Sequence, residues 1–530
     1  MRFADDLPYA SARQPVYGDD VVATSQPLAV AAAMAQFDRG GNAIDAALAA
    51  AIALTVVEPT NNGLGGDLFA QVWDGGGLHG LNASGWAPRA WTPERFATHR
   101  HMPAEGWDSV TIPGQVDGWR QLHERFGSRP WVSLFEPAIG WARQGFPVSR
   151  RLAWKWRLNT PRLADQPGFA QAFLPHGQPL QTGERFAHPA LADTLQRIAE
   201  QGAREFYEGL TAERLLDHAQ QHGGAWASDD LRDYAAQWVQ PLAQDVWRGC
   251  AVHEMPPNGQ GIAALQALGL LLARDAELPA RVDDPATLHW LIEATKLALA
   301  DVYPHVSDPA DMRLAASSML DPAYLRQRAR LIDPQRAQWP PSGLGGHGTV
   351  YLCTADRQGR MVSLIQSNYD GFGSGVVPTG TGVALQNRGS GFSLQAGHPN
   401  QVGPRKRPFH TIIPGFVTRG EQPLMAFGVM GGPIQPQAHV QVLARILRYG
   451  QNPQAALDAP RWRIDPGQGV YMEPGFPLPW RTGLEARGQR MRDDPPPTME
   501  FGAGQVLWRL SGGGWGAASD WRRDGHAAAR

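Results

Sequence analysis

The chain is poor in lysine and cysteine. Of its 48 basic residues only Lys155, Lys296 and Lys406 are lysines, and its only cysteines are Cys250 and Cys353. Two distant cysteines form no disulfide framework, and no C-x-x-C pair exists to hold zinc or run redox chemistry. Both are expected to be buried free thiols in a reducing compartment. The formal net charge is −2, which excludes the electrostatic footprint of a nucleic-acid binder. The longest strongly apolar run, 46–57, is far shorter than the roughly 20 residues a membrane span needs, so a buried core helix is expected there. The first fifteen residues lack a basic segment followed by an apolar one, so no signal peptide is expected and the location read from sequence is cytoplasmic. P-loop, G-x-S-x-G and H-E-x-x-H motifs are missing, and the 16 histidines show no metal-ligand spacing. Residues 75–80 match G-x-G-x-x-G but precede a strand pattern instead of a helix, so a dinucleotide site fails its context test. Chemistry without metal or cofactor is the enzymatic option that remains.

What is present has a clear order. Residues 24–58 read as two Ala-rich helical segments split by Gly40-Gly41, with Asn42 as a cap and Pro59 as a stop. Residues 68–82 alternate as two short strands around a triple-glycine turn, and 129–330 are mainly helical by pattern, most clearly at 288–303. Residues 337–348 are polar and rich in Gly and Pro, an exposed connection. Directly after it, 350–354 and 361–366 read as a β-hairpin, with further strands at 383–387, 411–418 and 423–430 and a helix at 436–448. Helix-rich first and strand-rich later, the chain is expected to form one α+β layered domain.

The junction Gly348-Thr349 carries the chemistry. A flexible segment ends in glycine, and a hydroxyl residue opens a buried strand. The Thr349 hydroxyl can attack the preceding carbonyl, form an ester and let water release residue 348. The new α-amine, with an ordinary pKa of about 7.7–8.0, can then serve as base to its own hydroxyl. On pattern alone the signal is weak, and an ordinary threonine between a loop and a strand is the better reading.

Ordered matches along nearly the whole chain go further. ATSQPLA (23–29), GGNAIDAALAAA (40–51), VEPTNNGLGGDLF (57–69), Pro113 to Gly118, EPAIGWARQGFPVS (136–149), MPPNGQG (255–261), EATKLALAD (293–301), TVYLCTADRQGRMVSLIQS (349–367), KRPFHTIIP (406–414), GVMGGPIQPQ (428–437) and SDWRRDG (519–525) occur in that order. Together they resemble the gamma-glutamyltranspeptidase family of N-terminal-nucleophile (Ntn) hydrolases. The resemblance implies an αββα sandwich, two stacked antiparallel sheets between helical layers. It implies a proenzyme cut between Gly348 and Thr349 into a large subunit, 1–348, and a small one, 349–530, that share one structural domain, with further self-association left open. It implies Thr349 as nucleophile, Ser367 near its amine, and Gly431-Gly432 as the oxyanion hole, where glycine lets the backbone approach the tetrahedral intermediate. No cofactor is implied, and the partner is a small-molecule amide.

The family's glutamyl anchors depart here. The Arg that holds the substrate α-carboxylate falls on Ser84, and the Asp for the α-amine falls on Gly391. A pocket Gln falls on Arg388, the paired serines on His410-Thr411, and a pocket Asn on Tyr369. Losing both charged anchors should remove several kcal/mol, at about 1.5–3 kcal/mol for each charge-assisted hydrogen bond. An altered acyl specificity is therefore expected, in the manner of the family's acylase and amidohydrolase branch, with Arg388 beside Asn387 pairing a carboxylate on another acyl group and His410 adding a hydrogen bond. Two other readings stay open: a true glutathione hydrolase or transpeptidase, and an unprocessed, catalytically silent binding protein.

Overall fold

A computed structural model describes residues 12–339, 349–465 and 469–530. Two seven-stranded sheets, each antiparallel throughout, form its middle. One runs in the order Val16–Gly18, Trp515–Ser519, Ala503–Arg509, Gln422–Met430, Gly415–Arg419, Cys250–Glu254, Leu242–Asp245. The other runs His526–Ala529, Val21–Thr24, Val350–Ala355, Met361–Ser367, Asp67–Trp73, Leu78–Ala83, Gln237–Val239.

Side-chain alternation explains the stacking. Along Val350–Ala355 every residue is buried, because both faces are covered. Tyr351, Cys353 and Ala355 point between the sheets, where they meet Phe69, Phe416, Ala426 and Leu507. Val350 and Leu352 point the other way, onto the helices Pro27–Asp38 and Ala43–Val57. The second helix is buried at every position, and its alanines allow that close approach. On the far side Val252, Val417, Phe427, Val429 and Val506 pack under Gly261–Ala273, Pro285–His305 and Ile434–Leu443. The layers are helix, sheet, sheet, helix, as expected.

The hairpin is docked by hydrogen bonds as well as by packing. The Asp356 carboxylate in its turn accepts the Ala43 N–H (2.9 Å), placing negative charge at a helix N-terminus. The Thr354 hydroxyl donates to the Ala43 carbonyl (2.7 Å). Asn42 caps this helix in a capping box with Asp45, as read from sequence.

Four local expectations change. Thr24 ends a strand, so the first helix starts at Pro27. The stretch 129–330 contains five strands: the short pair Phe146–Pro147 and Arg185–Phe186, and Gln237–Val239, Leu242–Asp245 and Cys250–Glu254. Residues 383–387 form no strand: the backbone lies along Gly65 through one isolated bridge, and the Leu385 and Gln386 N–H groups go to Val376 and Gly65 (3.1 and 3.0 Å). The three C-terminal strands, starting at Ala503, Trp515 and His526, were not anticipated.

Gly428 shows how tightly the sheets meet. A Cβ there would lie 2.5 Å from ring carbons of Tyr351. Gly428→Ala is expected to destabilise the protein by about 1–3 kcal/mol through overpacking, measured as a lowered urea midpoint.

Candidate active site

Thr349 is fully buried directly before the strand Val350–Ala355. Its Oγ1 accepts a hydrogen bond from Gln435 Nε2 (3.2 Å), and Gln435 Oε1 accepts the Ile413 N–H (3.1 Å). Gln435 lies in the first turn of Ile434–Leu443, just beyond Gly431-Gly432. Those glycines end the strand Gln422–Met430 with φ of 138° and 68°, a backbone that other residues adopt only with strain. The turn is braced from below by Gln260, whose Nε2 donates to the Gly432 and Thr411 carbonyls (3.0 and 2.7 Å). Gly348 lies outside the described residues.

The pairing of Val350 with Gln366 brings Ser367 level with Thr349 on the neighbouring strand. Ser367 Oγ accepts from Arg388 Nη2, and more weakly from the Tyr369 N–H (3.3 Å). Arg388 Nη1 donates to Thr411 Oγ1 (2.8 Å), and its guanidinium lies 4.6 Å from the Tyr369 ring centroid. Arg388 is 1% exposed, and its Nε has no partner among the described residues. Burial pulls its pKa down to about 10, against the pull of Asp67, so it remains a cation. Arg388, Ser367, Thr411 and Tyr369 thus form one cluster beside Thr349.

A second layer acts on that cation through charge. Asp67, fully buried at the start of Asp67–Trp73, accepts the N–H groups of Gly85 (3.0 Å) and Gly114 (3.2 Å). Its Oδ2 lies 3.1 Å from His410 Nε2. His410 Nδ1 faces the Ile412 N–H (3.3 Å), so the tautomer that satisfies both contacts is neutral with its proton on Nε2. Burial, and then Arg388, hold the His410 pKa well below its ordinary value. With both ring nitrogens engaged, His410 acts on the cluster through Asp67.

Two further candidates sit in the surrounding framework. The Ser84 hydroxyl accepts from Asn258 Nδ2 (3.0 Å), and the Ser84 carbonyl accepts from Arg407 Nε (3.0 Å). Asn387 spends its amide on the Ala104 carbonyl (2.7 Å) and the Asp370 N–H (3.1 Å), bracing the loop that carries Tyr369. Asp67, Gln435 and Gln260 were not singled out from sequence. The one available signal was Asp67 itself, a carboxylate opening an otherwise apolar strand after a glycine-rich stretch. Among the described residues no group of three or more His, Cys, Asp or Glu side chains stands together as a metal site, and no helix is long and apolar enough to cross a membrane.

Residues 29–530 match the gamma-glutamyltranspeptidase family. The chain belongs to that family. The cephalosporin acylase of Bacillus halodurans superposes with a TM-score of 0.95 at 42% identity, over 100% of this chain and 99% of that one. The glutathione hydrolase-like YwrD proenzyme of Bacillus subtilis is 37% identical over 80% of this chain and 81% of that protein. The oxamate amidohydrolase proenzyme of Klebsiella pneumoniae is 37% identical over 82% of this chain and 83% of that protein. The fold is that of an Ntn hydrolase, and the relatives are proenzymes, so the chain is a self-processing Ntn amidohydrolase of the gamma-glutamyltranspeptidase family.

Asp67 adds a pH signature. Burial lifts its pKa to about 7, while Arg388, the Gly85 and Gly114 N–H groups and Arg407 pull it back. A carboxyl that holds its proton more tightly folded than unfolded stabilises the fold at low pH, and loses that contribution as pH rises from about 4 through about 7. Asp67→Asn cannot ionise. Urea unfolding at about pH 5 and about pH 8 is expected to show a smaller loss of stability for this variant than for wild type, by roughly 2 kcal/mol.

Proposed function

We propose that the chain is cut between Gly348 and Thr349, and that Thr349 is the nucleophile of an amidohydrolase for short acyl groups carrying a carboxylate next to the scissile carbonyl. Oxamate is the smallest amide of this kind. The observation that carries the reading is the buried Arg388 cation bonded to Ser367, level with Thr349. A cation so near the nucleophile suits a carboxylate one bond from the reacting carbonyl. A glutamyl group would put its α-carboxylate several bonds away, where this chain has Ser84.

In self-processing, Thr349 Oγ attacks the Gly348 carbonyl, the acyl group moves from nitrogen to oxygen, and water cleaves the ester. This leaves a carboxylate on Gly348 and an α-amine on Thr349. In turnover that amine takes the hydroxyl proton as Oγ attacks the substrate amide. The Gly431 and Gly432 N–H groups hold the oxyanion, the leaving nitrogen takes the proton, and water releases the acid. Arg388 orients the acyl carboxylate, with Tyr369 beneath its guanidinium and Thr411 at its second nitrogen. Ser367 lies between this cation and the nucleophile. Asp67, backed by His410, keeps Arg388 charged, while Ser84 and Asn387 shape the walls behind.

Two variants test this. Thr349→Ala should migrate as one full-length band on a denaturing gel, whereas wild type gives bands of about two-thirds and one-third of the chain. A wild-type protein that stays whole would sink the processing step. Arg388→Ala should still process but lose kcat/KM on oxamate by roughly 100-fold or more, while amides of uncharged acids change less than about threefold. Equal losses on both substrate classes would refute the carboxylate role.

A further inference from the structure

A small cavity of about 20 Å³ lies away from the Arg388 cluster, and its wall includes Ser25, Glu58, Thr60, Asn61, Lys155 and Arg523. All six are between 1% and 7% exposed. Their hydrogen bonds do not balance. Glu58 takes the Ser25 hydroxyl on one carboxylate oxygen and Asn61 Nδ2 on the other, and Asn61 Oδ1 takes Lys155 Nζ. Each of those three oxygens thus already takes one donor, and none of them takes a hydrogen bond from Arg523. Still without a partner among the described residues are Arg523 Nε and Thr60 Oγ1.

The next residue back is the control. Arg522 is buried too, and it is tied to Glu473, Asp520 and the carbonyls of Leu457 and Ala459. Arg523 has only charges at a distance: Glu58, Glu500, Asp524 and Asp520. A buried guanidinium without an acceptor is costly, and the cheapest remedy is an acceptor in the cavity.

Charge and size narrow the choice. In the wall itself the cations Arg151, Lys155 and Arg523 outnumber the carboxylates Glu58 and Asp524 by one, while Glu500 and Asp520 lie outside it. Burial and the neighbouring Arg523 pull the Lys155 pKa down to about 7, a cost that a bound negative charge would relieve. The volume exceeds the roughly 10–15 Å³ that one water needs, and suits a single halide-sized ion. We propose that this cavity binds one small monovalent anion of chloride size, held by Lys155, Arg523 and the Thr60 hydroxyl. The ion would brace the turn after the nucleophile hairpin, because the carbonyls of Thr60 and Asn61 accept the N–H groups of Phe372 and Asn368 (both 3.2 Å).

The test needs no substrate. The intact wild-type protein is melted in sodium chloride and in sodium gluconate at matched ionic strength, gluconate being too large for the cavity. The expected result is a saturable rise in Tm of a few degrees with chloride and none with gluconate. Lys155→Met should lose the chloride response while keeping the wild-type circular dichroism. Should that variant fail to fold, wild-type crystals soaked in bromide decide the matter, with an anomalous peak expected between Lys155 Nζ and the Arg523 guanidinium. Superimposed chloride and gluconate curves, or a cavity holding water alone after the bromide soak, would overturn the proposal.

Discussion

Everything in the site depends on a strand held from both edges. Val350–Ala355 pairs with Val21–Thr24 on one side and Met361–Ser367 on the other, with Leu352 opposite both Thr24 and Leu364. Side chains alternate between the inter-sheet layer and the helical layer, so a shift of one residue would expose both sets to the wrong environment. Register is therefore fixed by packing, and with it the position of Thr349. The Gly431-Gly432 turn, the Gln435 contact and the Ser367 hydroxyl can all be placed to fit a residue that has nowhere else to go.

Around that fixed point the protein buries charge, which is tolerable only with dense hydrogen bonding. Arg388 has a serine, a threonine, an aromatic face and a nearby carboxylate. Asp67 has two backbone N–H groups and a histidine. The members come from several separate elements: two neighbouring strands, the loop that carries Tyr369, the segment 386–391 and the segment 406–414. A charge on a mobile side chain would reach the same place but would lose conformational freedom on each binding event.

Much of this architecture was legible in the sequence, and the reasons for success and failure differ. The hairpin of Val350–Ala355 and Met361–Ser367 and the Asn42-capped helix were readable because their signals are local: alternation, a turn, a cap. The strands Ala503–Arg509 and Trp515–Ser519 escaped because glycine and alanine blur alternation, although both lie inside a sheet. Residues 383–387 misled because an apolar run was taken for ladder pairing, whereas its backbone is satisfied by loop contacts. Ser84, Arg388, His410 and Thr411 were found through family resemblance, since no local pattern marks them. Asp67 and Gln435 were missed for a related reason: each acts through a neighbour distant in sequence, and that partnership exists only once the sheets have stacked.

The interleaving of the sheets bears on how such a protein can be made. Val350–Ala355 and Met361–Ser367 lie between strands from the part of the chain before Thr349, and His526–Ala529 closes that sheet against Val21–Thr24. Neither piece carries a complete sheet. The proposed cut before Thr349 would sever a covalent link without creating two folding units, which would make the uncut chain the assembly template. Separately produced halves would begin as incomplete sheets with open edges, prone to pairing with the wrong partner before finding the right one.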